Sequence, residues 1–109
     1  MGRKGLGELE QQVLLALLRL GGEGYSVPLV LEMEEKSGQP VAQAAVFIVL
    51  RRLEDKGLVS SRMEIPAGNE TGRERRYFKL EPLGRRRLEE ARRLVERLWD
   101  GIDTVPEEG

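Results

Sequence analysis

The sequence predicts a mainly α fold with one small β-hairpin. Three observations carry this. Four stretches repeat their apolar residues at three- and four-residue steps, and the segment between the third and fourth loses that period for partial alternation around a turn-rich centre. Glycine or proline stands at most of the junctions. At 109 residues the chain has room for a single core. The expected organisation is one unit over 1–81, a C-terminal helix over 82–99 and a disordered tail over 100–109.

Leu9, Val13, Ala16, Leu17 and Leu20 form the stripe of a first amphipathic helix, which Leu14, Leu15 and Leu18 widen. Gly21-Gly22-Glu23-Gly24 ends it, since glycine accepts the left-handed conformation that follows a helix. Ser26 reads as the N-cap of a second helix, with Pro28 in its first turn, running to about Lys36 and stopped by Ser37-Gly38. A short connection, Gln39-Pro40-Val41, leads to a third helix from about Ala42 to Lys56, with Gly57 as its stop. Val46, Val49, Leu50 and Leu53 are its inward stripe; Gln43, Phe47 and Arg51 form another. Leu58–Ile65 reads as a strand, Pro66–Gly72 as turn formers and Arg73–Leu80 as the returning strand. Alternation turns Arg75 and Tyr77 to one face and Arg76 to the other. Pro82 opens the last helix, which carries Leu83, Leu88, Ala91, Leu94, Val95 and Leu98 on one face and ends near Trp99. Asp100–Gly109 has no apolar period and reads as a frayed tail.

Composition excludes several functions. The chain has neither cysteine nor histidine, which removes disulfides, thiolate nucleophiles and metal sites built on those residues. The pairs Glu8/Glu10 and Glu89/Glu90 lack any companion catalytic group, so a solvated helix surface is expected there and not an enzyme. No cofactor is implied. No apolar run is long enough to span a membrane, and the basic start turns acidic at Glu8 and Glu10, so a cytoplasmic protein is expected. The net charge is -1, from 18 basic and 19 acidic residues, but the charges are segregated. Acids gather at Glu32, Glu34, Glu35 and in the tail; bases gather at Arg73, Arg75, Arg76, Lys79 and at Arg85, Arg86, Arg87.

Two helices joined by a short connection and followed by a basic hairpin make the order of a winged helix-turn-helix. In that arrangement the third helix fits the major groove of double-stranded DNA, and arginines near the hairpin neutralise phosphates. Residues 1–81 then form the DNA-binding unit. The expected contacts are Gln43, which can pair with adenine, Ala44 and Phe47 against thymine methyls, Arg51, and the wing arginines Arg73, Arg75 and Arg76. Arg85–Arg87 stay open between a solvated face and further phosphate contact. Leu88, Ala91, Leu94, Val95 and Leu98 would leave a large apolar surface on a monomer, so the last helix is expected to make a homodimer.

Several segments, taken in order, resemble PadR-type transcriptional regulators. They are Leu6-Gly7-Glu8-Leu9-Glu10 through Leu14–Leu18, Tyr25-Ser26-Val27, Leu50–Val59, and Gly72–Leu80 followed by Pro82-Leu83-Gly84. The resemblance covers about Leu6 to Leu98. It implies a homodimeric repressor on a palindromic operator, with the single C-terminal helix pairing against the N-terminal helix. It also implies an effector, for many members a small molecule, whose identity varies. The chain departs from the family pattern in its third helix. Ala42 stands where a serine would cap the helix, Phe47 where a tyrosine would offer a hydroxyl, and Ile48 and Val49 replace residues that are often small or polar. That apolar helix motivates an alternative, a winged-helix protein-interaction module that has lost sequence-specific DNA binding. The expected DNA grip therefore leans on the wing, on backbone contacts and on DNA shape. Trp99 can belong to the core or to the dimer interface.

Overall fold

The structure is a computed structural model that describes residues 5–68 and 70–102. Its elements run α1 (Glu8–Arg19), β1 (Glu23–Gly24), α2 (Ser26–Ser37), α3 (Gln43–Asp55), β2 (Val59–Glu64), β3 (Arg75–Leu80) and α4 (Pro82–Trp99). The chain is mainly α with a small hairpin wing, as the periodicities require. Of the expected tail, Asp100–Ile102 continue from α4 through a turn, and residues 103–109 lie outside the described residues.

All four helices and the strands β2 and β3 contribute to the core. Leu14 and Leu17 of α1, Leu29 of α2, Leu50 and Leu53 of α3 and Phe78 of β3 are all fully buried. The connection between α2 and α3 is held at both ends. Gly38 adopts a left-handed φ of 72° that closes α2. Glu34 then reaches forward to accept the Val41 N–H at 2.9 Å. Ala42 is the N-cap of α3 and makes no side-chain cap bond, so the start of α3 relies on this outside support.

The structure adds a strand that the sequence pattern does not show. Glu23–Gly24 pairs antiparallel with β3, giving a three-stranded sheet of order β1-β3-β2. The register sets Glu23 opposite Lys79, Val59 opposite Leu80 and Glu64 opposite Arg75. This strand corrects the assignment at Ser26. Pairing holds the backbone extended through Tyr25, at φ -111° and ψ 177°, so Tyr25 is the N-cap and Ser26 is already helical. The Ser26 hydroxyl is thereby left for a different partner.

The last helix begins inside the core and leaves it. A Cβ on Gly84 would collide with the Leu58 carbonyl oxygen, a backbone atom with little freedom to move, so α4 seats closely on the start of β2 only because this position is glycine. Leu88 is buried in the chain's own core. It is therefore removed from the apolar face expected to dimerise, because the first half of α4 already packs on α1. From Arg92 to Ile102 every residue is exposed.

One ion pair ties the two ends of the core together. Among the described residues, Glu10 is the one buried acid. Its carboxylate accepts the Gly7 N–H at 2.9 Å and the Lys56 ammonium at 2.7 Å. Burial pushes the Glu10 carboxyl up, but the Lys56 hydrogen bond, the Gly7 N–H and the charges of Lys56 and Arg52 outweigh it. The net effect is a pKa below the ordinary glutamate value. A group depressed in this way stabilises the fold above its unfolded pKa, and the contribution is lost as pH falls through the folded value. Lys56→Met is predicted to cost about 1–2 kcal/mol near neutral pH, since it strands a buried carboxylate. The deficit should shrink in strongly acidic solution, where Glu10 is protonated in both proteins. Urea unfolding at the two pH values reads both effects.

Candidate nucleic-acid interface

The buried stripe of α3, Val46, Val49, Leu50 and Leu53, determines what its opposite face presents. Helical spacing puts Ala44, Ile48, Arg51 and Asp55 along that outward line, and all four are exposed. Gln43 and Phe47 sit on its wing-facing flank. Phe47 leans inward and meets Phe78 edge to face, with ring centroids 5.9 Å apart. It is 37% exposed, against 57% for Ile48. Phe47 is thus partly covered by a core ring, and Ile48 is the outward apolar side chain that the Gln43–Phe47–Arg51 stripe passes over. The signal was present in the four-residue step from Ala44 to Ile48. Arg51 lies at the far edge, 3.5 Å from the Glu54 carboxylate and 5.9 Å from the Phe47 ring centroid.

The wing follows strand alternation. Phe78 marks the inner face of β3, and Arg76 shares it. Arg76 donates to the Ser61 hydroxyl at 2.9 Å, and Ser61 in turn donates to Glu54 of α3 at 2.7 Å. This chain of bonds fastens the wing to the third helix. Arg75 and Tyr77 occupy the outer face. Tyr77 meets Tyr25 edge to face at 5.5 Å, and the Arg75 guanidinium lies 4.3 Å from the Tyr25 ring centroid. Arg62 crosses the same face, 5.1 Å from the Tyr77 ring centroid, and is ion-paired with both Glu23 and Glu64. Those two carboxylates push the Arg62 pKa up and cancel its charge, so it braces the sheet instead of attracting an anion.

Between the start of α2, the start of α3 and the wing lies an open cleft of about 1030 Å³. Gln43, Arg73, Arg75 and Arg76 all line it, together with Tyr25 and Ser26. Glu70 and Glu74 also stand on its wall, near the wing tip. Four of the seven residues assigned to DNA contact from the sequence therefore converge on one concavity. Ala44, Phe47 and Arg51 continue outside it along α3. Arg85 is turned elsewhere: it pairs with Glu89 at 3.2 Å and faces the groove between α1 and α4.

The sequence profile of the transcriptional regulator PadR-like family matches residues 14–90, well over half of the chain. The chain belongs to the PadR-like family. A PadR family transcriptional regulator from Eggerthella lenta DSM 2243 is 28% identical, with a TM-score of 0.66 over 87% of this chain and 82% of that one. A PadR family transcription regulator from Clostridium difficile R20291 shares the fold at 18% identity, TM-score 0.66, covering 86% of this chain and 96% of the other. Bordetella bronchiseptica BpsR, whose DNA binding is regulated by 6-hydroxynicotinic acid, is similar at 24% identity and TM-score 0.62, over 94% of this chain and 72% of its own. No curated protein matches by sequence. As a PadR-like protein the chain is a DNA-binding transcriptional regulator and not an enzyme. Among the described residues, no helix is long and apolar enough to cross a membrane.

The placement of Phe47 has a measurable consequence. Phe47→Ala is predicted to lower stability by about 1.5–3 kcal/mol, because it removes a ring that closes over Phe78. A change within about 0.5 kcal/mol, as for an ordinary surface substitution, would place Phe47 outside the core. Chemical denaturation of the two proteins decides between these.

Proposed function

We propose that this PadR-like chain is a homodimeric repressor that binds a palindromic operator, pairing through the second half of α4. The observation that carries the reading is the apolar stripe on that half. Leu94, Val95, Leu98 and Trp99 are all exposed on a helix that has left the core, Leu98 at 69%. Ala91 is half-buried and begins the stripe. Across a groove of about 380 Å³, Leu15 of α1 faces Val95 and extends the same surface. A stripe of this kind on a folded monomer is a self-association surface, and pairing about a two-fold axis removes it from water. Trp99 belongs to this surface in our reading.

Two-fold symmetry carries the rest. It presents two α3 helices and two wings to DNA, and so selects two inverted half-sites. Gln43, Ala44, Ile48 and Arg51 face the bases or the groove walls, and Arg73, Arg75 and Arg76 take phosphates. With one amide among mostly apolar side chains, the reading helix contributes a modest share of specificity. DNA shape and wing contacts contribute the remainder. Occupying a promoter in this way blocks transcription, which makes the regulator a repressor. A small-molecule effector of unidentified structure fits the α1–α4 groove, where it would alter the angle between the two reading heads. The site of action in this reading is the cytoplasm.

Sedimentation combined with footprinting on the DNA upstream of its own gene tests the proposal. The native chain is expected to sediment as a dimer and to protect two half-sites about one helical turn apart. The double variant Leu94→Glu, Leu98→Glu is expected to be a folded monomer, since both residues are exposed, and to lose at least about tenfold in operator affinity. A monomeric native chain, or protection of a single half-site, would overturn the proposal.

A further inference from the structure

The start of α2 meets the start of α3 at one side-chain bond. Gln43 Nε2 donates to Ser26 Oγ at 3.1 Å, across 17 residues of sequence. Ser26 is available for this because β1 moves the N-cap back to Tyr25, leaving the serine hydroxyl without a capping role. The neighbouring Tyr25 is fixed by its edge-to-face contact with Tyr77, so the serine is carried on a backbone tied to the central strand. Both Ser26 and Gln43 line the cleft that also holds the wing arginines.

We propose that Ser26 is a specificity-determining positioning residue that fixes the Gln43 amide for base reading. A glutamine side chain has several rotatable bonds and an amide whose two ends can exchange by rotation. Left free on an exposed helix, it can offer donor or acceptor to whatever base edge is near. The Ser26 hydroxyl engages one N–H of the amide. What remains is Oε1 and the second N–H, an acceptor beside a donor. That is the pair which matches the N6 amino group and N7 of adenine in the major groove. Ser26 therefore acts through Gln43 and needs no contact with DNA of its own. The inference rests on the reading of α3 as a base-contacting helix given above.

The test is a set of affinities measured for the full chain on its operator, on the operator with the Gln43-facing base pair changed, and on non-specific DNA. Ser26→Ala is expected to reduce discrimination between the first two by about three- to tenfold, the range of one ordinary hydrogen bond. Its affinity for non-specific DNA should stay within about twofold of native. Gln43→Ala should reduce discrimination by a similar factor, and the double variant should be no worse than Gln43→Ala alone. Ser26→Thr, which keeps the hydroxyl, should restore the native ratio. Thermal unfolding of each variant separates these effects from loss of fold. Additive losses in the double variant, or an equal weakening on non-specific DNA in Ser26→Ala, would overturn the proposal by making Ser26 an independent contact. Full discrimination in Gln43→Ala would overturn it from the other side, while leaving wing-based DNA binding and the dimer standing.

Discussion

The burial of Phe78 in the central strand is the constraint on which the rest of the interface depends. β3 is hydrogen-bonded to β1 on one side and to β2 on the other, and its inner side chain is sealed in the helical core. From that anchor, strand alternation fixes everything else on β3. Arg76 must lie inward, where it links through Ser61 to Glu54 of α3. Arg75 and Tyr77 must lie outward, where Tyr25 receives both. The edge-to-face contact with Phe47 adds to the buried stripe of α3 in fixing which residues of that helix face outward. A wing and a recognition helix are usually described as separate elements. Here one buried ring aligns them.

The net charge of -1 is reconciled with DNA binding by where the acids lie. Several cations are matched by carboxylates away from the cleft: Arg19 by Glu32, Lys56 by Glu10, Arg85 by Glu89, Arg92 by Glu96 and Arg62 by two partners. Exposed pairs of this kind add little stability, and they also contribute little outward positive field. Arg75 differs in kind. Its partner is the face of an aromatic ring, which holds the guanidinium in place without cancelling its charge. Arg76 is steadied by a neutral hydroxyl in the same way. Two of the cations that line the cleft, Arg75 and Arg76, are thus positioned by groups that leave their charge uncancelled.

The four helices and the hairpin were legible because each carries a long periodic pattern with a glycine or proline at its limits. Three features were not legible, and each has a physical reason. β1 is two residues long, too short for alternation to register, and its glycines read most simply as a helix stop. It puts the N-cap of α2 at Tyr25 and frees Ser26 for its bond to Gln43, which joins residues far apart in sequence. The stripes on α3 and α4 are plain in the periodicity, but periodicity alone does not say which edge of a stripe a neighbour covers. Phe47 proved half-covered by Phe78, Ile48 proved open, and Leu88 went to the core while Leu94, Val95 and Leu98 stayed outside it. The convergence of Gln43 with three wing arginines is a tertiary fact, created when the sheet folds back beside the helices.

The central claim is that this near-neutral chain grips DNA mainly through phosphate contacts from a pre-positioned cleft on each half of a dimer. The dependence of operator affinity on salt concentration tests it most directly. If the dimer neutralises about six to eight phosphates, log K should fall with log salt at a slope of about -5 to -7. Non-specific DNA should show a similar slope at lower affinity. A slope near zero on the operator would contradict the account and would leave the winged helix of this chain as a surface for some partner other than DNA.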